Sequence, residues 1–160
     1  MDRILSVLEK NPRLSNKEIA VMLGVAEAEV EKKIRELEEQ GIVKGYRAMI
    51  DPEKADNQYV TALIEIKVQP KFSRGFDDIA ARISQLDEVE SVFLMSGGGF
   101  DLCCTVTGEA FQEVALFVAN RLSPMEGVVS TATHFILKKY KEQGVLFIEQ
   151  QKDDRGTISF

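Results

Sequence analysis

The sequence predicts an α+β protein in two parts, a helical N-terminal module followed by a larger domain of strands and helices. Two observations support this prediction. Residues 14–46 hold two helical patterns joined by a turn at Gly24, and a short alternating segment follows the second pattern. From Tyr59 onward, two kinds of segment follow each other. In one kind, apolar and polar residues alternate, and in the other, apolar residues recur at helical spacing. Such a mixed order of strands and helices is typical of α+β domains.

The first helix is predicted to end before Pro12, and its apolar stripe is Ile4, Leu5 and Leu8. The second helix begins at Ser15. The Ser15 hydroxyl and the Glu18 carboxylate are spaced to form a capping box, in which each accepts a backbone N–H of the other residue. Gly24 ends this helix because glycine easily takes the left-handed conformation of a tight turn.

The third helix is predicted from near Ala26 to Gln40, with Gly41 as its terminator. Its buried face consists of Val30, Ile34 and Leu37. The opposite face, which we call the outward ridge, consists of Ala28, Lys32, Arg35 and Glu39. Lys33 lies to one side, and carboxylates flank the ridge. A ridge with a small residue near the helix start and two cations behind it suits insertion into a DNA groove.

Residues 41–51 (GIVKGYRAMID) alternate around Lys44-Gly45, which predicts a two-stranded wing with Lys44 and Arg47 available to phosphates. Three helices and a wing form a winged helix-turn-helix, whose last helix enters the major groove of DNA. The alternative is a set of packing helices with a solvated charged face. The residues predicted to contact DNA are Ser15, Lys17, Ala28, Lys32, Lys33, Arg35, Lys44 and Arg47.

The C-terminal part predicts four strands, over Tyr59–Val68, Val89–Met95, Phe100–Thr107 and Val128–Tyr140. Gly97-Gly98-Gly99, the glycine turn, joins the second strand to the third. One predicted helix carries Phe72, Phe76, Ile79, Ala80, Ile83 and Leu86, and the other carries Phe111, Val114, Ala115, Val118 and Leu122. The resulting order βαββαβ is the ferredoxin-like arrangement, with both helices on one sheet face.

The uncovered face of this sheet is predicted to offer Tyr59, Leu63 and Cys103 to a partner. A homodimer through that face would supply the two-fold symmetry that paired DNA-reading helices require. The tail after Gly144 has a short apolar run that suits either an edge strand or a dimer arm. The predicted domains are a DNA-binding domain over residues 1–50, a linker over 51–58, a ferredoxin-like oligomerisation domain over 59–141, and a tail over 142–160.

Composition narrows the function further. The net charge is −6, but residues 1–50 hold nine cations and nine carboxylates, so the acidic surplus lies in the rest of the chain. Apolar runs are too short for a membrane span, and the charged N-terminus is unlike a signal peptide. Cys103 and Cys104 are adjacent in a predicted strand and point to opposite faces, which argues against a disulfide and favours the cytoplasm. No metal-ligand spacing, cofactor motif or nucleophile–base pair points to an enzyme.

The chain resembles the Lrp/AsnC family of transcriptional regulators over nearly its whole length. The shared motifs are Asp2 with ILxxLxxNxR at 4–13, LSxxEIA at 14–20, the LG turn at 23–24, VxxKIxxLExxGIVxGY at 30–46 and GGFDL at 98–102. The family usually has Ser where Ala26 stands, and an acidic or polar residue where Gly99 stands. The resemblance implies a DNA-binding homodimer, often assembled into octamers, with an amino acid or related small molecule bound between subunits.

The resemblance also implies an effector pocket formed by the glycine turn, the Asp after it and the last strand. Its residues here would be Ser96, Gly97, Gly98, Gly99, Asp101, Thr131, Thr133 and His134. Backbone N–H groups of consecutive glycines can hold a carboxylate, and the carboxylate and hydroxyls can hold an ammonium group. Alternatively, the glycines form only a turn, and His134 is a surface or interface residue. The sequence therefore predicts an effector-responsive, sequence-specific regulator, or else a sensing oligomer with weak or lost DNA binding.

Overall fold

The computed structural model describes residues 2–55, 59–69 and 75–148. The chain divides into two compact units, Met1–Met49 and Ile50–Phe160. No helix among the described residues is both long enough and apolar enough to cross a membrane.

The N-terminal unit contains three helices, α1 (Arg3–Lys10), α2 (Asn16–Leu23) and α3 (Glu27–Glu39). Their apolar stripes meet in one core of Ile4, Leu8, Ile19, Ala20, Val30 and Leu37. Ile34 packs against this core while remaining partly exposed. The three predicted helices and their buried faces are therefore confirmed, because the spacing of apolar residues sets which side of each helix leaves water.

The helix ends follow the predicted capping chemistry at α2. Ser15 and Glu18 form the full capping box, and Gly24 closes the helix in the left-handed conformation at φ 70°. The N-terminus of α3 differs, since Ala26 at its N-cap has no side-chain hydrogen bond. Gly41 follows α3 at φ 65°.

The predicted two-stranded wing is not formed, because residues 41–51 contain no strand. The backbone N–H groups of Ile42 and Val43 both donate to the carbonyl of Leu37, at 2.9 and 3.1 Å, and so finish α3 instead of starting a strand. Further along, the Tyr46 hydroxyl donates to Glu38 at 2.9 Å. A short hairpin has little stability without a third element to pack against, which explains why alternation alone was insufficient here.

The C-terminal unit contains strands β1 (Val60–Val68), β2 (Val89–Leu94), β3 (Leu102–Gly108) and β4 (Val128–Ile136), and helices α4 (Gly75–Ser84) and α5 (Phe111–Phe117). A π-helical segment, Val118–Leu122, continues α5. The sheet order is β2-β3-β1-β4, with each neighbouring pair antiparallel. This is the ferredoxin-like arrangement that the order of elements predicted.

The core of this unit lies between one sheet face and the two helices. Ile64 is at its centre, fully buried and paired with Cys104 on β3 and Thr133 on β4. The buried residues are Ala62, Ile64, Ile66, Val68, Ile79, Ile83, Leu102, Cys104, Val106, Val114, Phe117, Val118 and Leu122. The alternation predicted for β1 is thus confirmed.

Several predicted details are corrected. The last strand ends at Ile136, four residues before Tyr140. Phe111 and Ala115 are exposed, and Phe117 is buried instead, so the buried stripe of α5 consists of Val114 and Phe117 and continues at Val118 and Leu122. Phe72 lies outside the described residues. In the tail, β5 (Lys141–Glu142) and β6 (Val145–Leu146) pair with each other, and neither joins the main sheet.

Candidate nucleic-acid interface and effector site

The helix-turn-helix is fixed by hydrogen bonds at its turn. The N–H groups of Gly24 and Val25 both donate to the carbonyl of Ala20, at 2.9 and 3.1 Å. This double closure requires the positive φ at Gly24, which costs glycine little. The turn lets α2 and α3 share one core, so the side of α3 that faces away from it lies in water.

The outward ridge of α3 is accessible along its length. Ala28, Lys32, Arg35 and Glu39 are all exposed, with the Lys32 and Arg35 side chains 80% and 63% exposed. Val30, at the centre of the opposite face, is fully buried. The helix therefore presents the predicted cations on the face opposite its core.

Each predicted cation of α3 has a carboxylate beside it. Arg35 Nη2 lies 2.7 Å from Glu31 Oε1, and Lys32 Nζ lies 3.9 Å from Glu36 Oε1. Lys33 Nζ lies 3.6 Å from Asp2 Oδ2 at the N-cap of α1. The positive field of the ridge is consequently reduced by its own helix and by α1.

The other predicted DNA contacts surround this helix. Lys17, Lys44 and Arg47 are exposed. The Ser15 hydroxyl is already used in the capping box, where it accepts from the Glu18 N–H and donates to the Glu18 carboxylate. The Ser15 backbone N–H, donating to that carboxylate at 2.7 Å, is the main cause that lowers the Glu18 pKa.

The glycine turn joins β2 to β3, and its three residues have φ values of 89°, 83° and 83°. Three successive positive values explain why glycine occupies all three positions. The turn is closed by the Met95 N–H, which donates to the Asp101 carbonyl at 2.8 Å. Ser96 and the three glycines are exposed, so their backbone groups can reach a ligand.

Asp101 ties the glycine turn to the end of β1. Its Oδ2 accepts from the Val68 N–H at 3.0 Å, and its Oδ1 accepts from Lys67 Nζ at 3.2 Å. Both contacts lower the pKa of the Asp101 carboxyl, and the hydrogen bond from the Val68 N–H is the largest single cause. Both of its oxygens thus already have partners within the chain.

The predicted β4 residues lie on two sides of the sheet. Thr131 and Thr133 pair across from Ile66 and Ile64, on the helix-covered side, and the Thr131 hydroxyl lies 3.2 Å from that of Ser123. His134 pairs across from Leu63 on the opposite side, with Nε2 3.6 Å from Glu65 Oε2. Within one protomer, His134 and the two threonines therefore do not lie in the same site.

Two partners in these sites were missed by sequence reasoning. Lys67 gave no local signal, since its contact with Asp101 spans 34 positions in the chain. Glu31 gave a clear one, because a carboxylate four residues before an arginine on a helix is spaced for an ion pair.

The fold and these surfaces define a class of protein, a helix-turn-helix regulator with a separate ligand-binding domain. Residues 3–44 match the family described as winged helix-turn-helix DNA-binding, and residues 61–146 match the Lrp/AsnC ligand binding domain. The chain belongs to the Lrp/AsnC family of transcriptional regulators.

Curated relatives and solved structures agree. The chain is 45% identical to the HTH-type transcriptional regulator YugG of Bacillus subtilis (strain 168), covering 98% of this chain and 94% of the relative. It is 28% identical to the solved transcriptional regulator NMB0573 of Neisseria meningitidis in complex with L-Met, with a TM-score of 0.70 over 89% of this chain and 93% of that one. The chain is also 25% identical to the solved leucine response regulatory protein (LrpA) of Mycobacterium tuberculosis. The TM-score is 0.73, and the match covers 89% of this chain and 97% of that one.

Proposed function

We propose that this regulator binds double-stranded DNA as a cytoplasmic homodimer, itself able to form a higher oligomer such as an octamer. Residues 1–50 would bind DNA, 51–58 would connect the domains, 59–141 would sense and oligomerise, and 142–160 would form the tail. The observation that carries the proposal is the exposed ridge of α3, with Lys32 and Arg35 pointing away from the core. Regulation, not catalysis, is the function that its relatives support.

In the proposed complex, α3 enters the major groove, with Lys32 and Arg35 toward the bases. Ala28 lets the helix approach closely. Contacts around this helix, mostly to phosphates, come from Ser15, Lys17, Lys33, Lys44 and Arg47. A homodimer would place two such helices on successive turns of the duplex.

Replacing both Lys32 and Arg35 with Ala should weaken binding to a selected duplex by at least tenfold and flatten its salt dependence by about two in log–log slope. Fluorescence anisotropy across a salt series measures both quantities. The matched control is Lys138→Ala with Lys141→Ala, which removes two cations from the C-terminal unit. Unchanged affinity in the first variant would show that α3 is not the reading helix.

A second function is favoured by one observation, the carboxylate beside every predicted cation of α3. A chain with this electrostatic balance could sense a small molecule as an oligomer while binding DNA weakly or not at all. The same salt series separates the two functions. Steep, tight binding supports the regulator, and absence of binding at low salt supports the sensor.

We further propose an amino acid or related small molecule as the effector, held by Ser96, the glycine turn, Asp101, Thr131, Thr133 and His134. Because His134 and the threonines lie on opposite sheet faces, a site using all of them requires more than one subunit. The L-Met complex of the Neisseria meningitidis relative supports an amino-acid ligand. Effector binding would then change the oligomeric equilibrium, and with it the spacing of the reading helices.

Titration calorimetry with a panel of amino acids tests this site. Asp101→Ala should abolish binding of the effector and leave DNA binding unchanged. Lys67→Ala is the control, since it removes the same ion pair but keeps the carboxylate. Equal loss of effector binding in both variants would mean that binding depends on the Asp101–Lys67 ion pair and not on a direct contact between Asp101 and the effector.

A further inference from the structure

Helix α3, which the proposed function makes the DNA-reading helix, has a net negative charge. It holds three cations and six carboxylates, whereas the remainder of residues 1–50 holds six cations and three carboxylates. Attraction to phosphates is independent of sequence, so it can come from the remainder of the module. The carboxylates of α3 weaken the attraction to phosphates. They can, however, increase the difference in affinity between one DNA sequence and another.

Glu31 is the carboxylate placed to affect base reading. It lies one turn before Arg35, beside the outward ridge, and its Oε1 accepts from Arg35 Nη2 at 2.7 Å. Both side chains are exposed, so the pair stands at the surface that faces the duplex in the proposed complex. Guanidinium has five N–H donors, so this contact leaves enough for the two that guanine O6 and N7 accept.

The neighbouring pair provides a contrast. Lys32 and Glu36 have the same spacing, but their atoms are 3.9 Å apart. An ammonium is a compact charge on a flexible stem, whereas the planar guanidinium has a direction that a partner can fix. A carboxylate beside Lys32 therefore lowers charge, while one beside Arg35 also sets orientation.

We propose that Glu31 is a positioning residue for sequence discrimination, an inference that rests on the proposed DNA-binding function. By holding one edge of the Arg35 guanidinium, Glu31 keeps Arg35 away from nearby phosphates and directs its free donors toward a guanine. The cost is weaker binding to all DNA. The gain is a larger difference between the preferred duplex and any other.

The test compares Glu31→Gln with the control Glu36→Gln, each of which removes one paired carboxylate from α3. The probes are a duplex selected from a randomised pool by the wild-type protein and a scrambled duplex of the same composition. In Glu31→Gln the scrambled duplex should bind about tenfold more tightly, and the ratio of the two affinities should fall about tenfold. The salt slope for the scrambled duplex should steepen by about one, because a cation is released for phosphate contact.

Glu36→Gln should strengthen both duplexes similarly and leave the ratio within about twofold. In an Arg35→Ala background, Glu31→Gln should no longer change the ratio, since nothing remains to be positioned. An unchanged ratio in Glu31→Gln, an equal fall in Glu36→Gln, or weaker binding of Glu31→Gln to the selected duplex would each overturn the inference. Failure of the wild-type protein to bind any duplex at low salt would instead overturn the proposed function itself.

Discussion

At the residue scale, α2 and α3 of the N-terminal unit begin differently. α2 has the Ser15 capping box, while α3 begins at Ala26 without a side-chain cap. The first turn of α3 contains Glu27 and Glu29, and their negative charges stabilise the helix by interacting with the positive end of its dipole. The start of α3 is therefore supported by charge alone, and a hydroxyl there would add a hydrogen bond.

Exchanging these caps should change stability in opposite directions. Ser15→Ala should lower the free energy of unfolding by about 1 kcal/mol, and Ala26→Ser should raise it by about 0.5 to 1 kcal/mol. Urea unfolding followed by circular dichroism measures both changes. Because the folded pKa of Glu18 is lowered, the capping contribution should be present above the ordinary Glu pKa and be lost as the pH falls through the lowered value. A pH-independent effect of Ser15→Ala in that range would contradict this account.

The two cysteines should be unreactive in the folded protein. Burial raises the pKa of the Cys104 thiol to about 12, and burial together with Glu65 raises that of Cys103. At pH 8 the thiolate fraction of Cys104 is then lower than that of an ordinary thiol by about a thousandfold. Iodoacetamide labelling of Cys103→Ser, which reports Cys104 alone, should be slow in buffer and fast in urea. Rapid labelling in buffer would show that the strand opens.

At the element scale, the connection between the π-helical segment and β4 depends on Gly127. Gly127 has a φ of 94°, and a Cβ there would lie 2.6 Å from Ile79 Cδ1 of α4. Its carbonyl accepts from the Gln69 N–H at 2.8 Å, next to the end of β1. This glycine allows β4 to pass close to α4, so it joins two elements that are far apart in sequence.

Gly127→Ala should therefore destabilise the C-terminal unit by about 2 to 4 kcal/mol, from backbone strain and overpacking together. Gly144→Ala is the matched control, with a φ of 86° and open space around its Cβ position. It should cost about 1 kcal/mol, since only the backbone term remains. Thermal unfolding of both variants measures the difference, and equal costs would show that Ile79 moves aside freely.

At the scale of the whole molecule, the sheet face away from the helices is the surface that would join two protomers. Leu63 lies on a central strand, between Thr105 of β3 and His134 of β4. Phe93 on β2 is 56% exposed, whereas Cys103, on β3 between β1 and β2, is buried, so the prediction that Cys103 is offered to a partner is wrong. A face that combines exposed Phe93 and half-buried Leu63 with polar neighbours in this way suits association with a second copy.

Leu63→Glu should dissociate the proposed homodimer, raising its dissociation constant by about a hundredfold, because an unpaired carboxylate would enter the interface. Leu116→Glu is the control. Leu116 is similarly apolar and 59% exposed, but it lies on α5, on the helix side of the sheet. Light scattering with size-exclusion chromatography gives the mass of each variant. Dissociation by Leu116→Glu alone would place the interface on the helices.

Local features were predictable from the chain because they depend on neighbouring residues. Apolar spacing set the buried faces of α1 to α3 and of β1, Ser15 and Gly24 set the two ends of α2, and the glycine turn set the connection from β2 to β3. Alternation along a strand also places His134 on the sheet face opposite Thr131 and Thr133, because it lies an odd number of residues from each of them. Strict use of this rule would have shown that the predicted effector residues of β4 lie on two faces. The i,i+4 rule likewise points to the Glu31–Arg35 pair.

Contacts between distant segments depend on strand register and packing, which no local pattern encodes. Register places Ile66 between Leu102 and Thr131, and the turn that leads into β3 then brings Asp101 to Lys67. Packing decides that Gly127 must pass Ile79 and that Phe117, not Phe111, is buried. The missing wing has the same origin. Alternation permits a strand, but a strand forms only where a partner supplies its hydrogen bonds. Here Ile42, Val43 and Tyr46 donate hydrogen bonds to α3 instead.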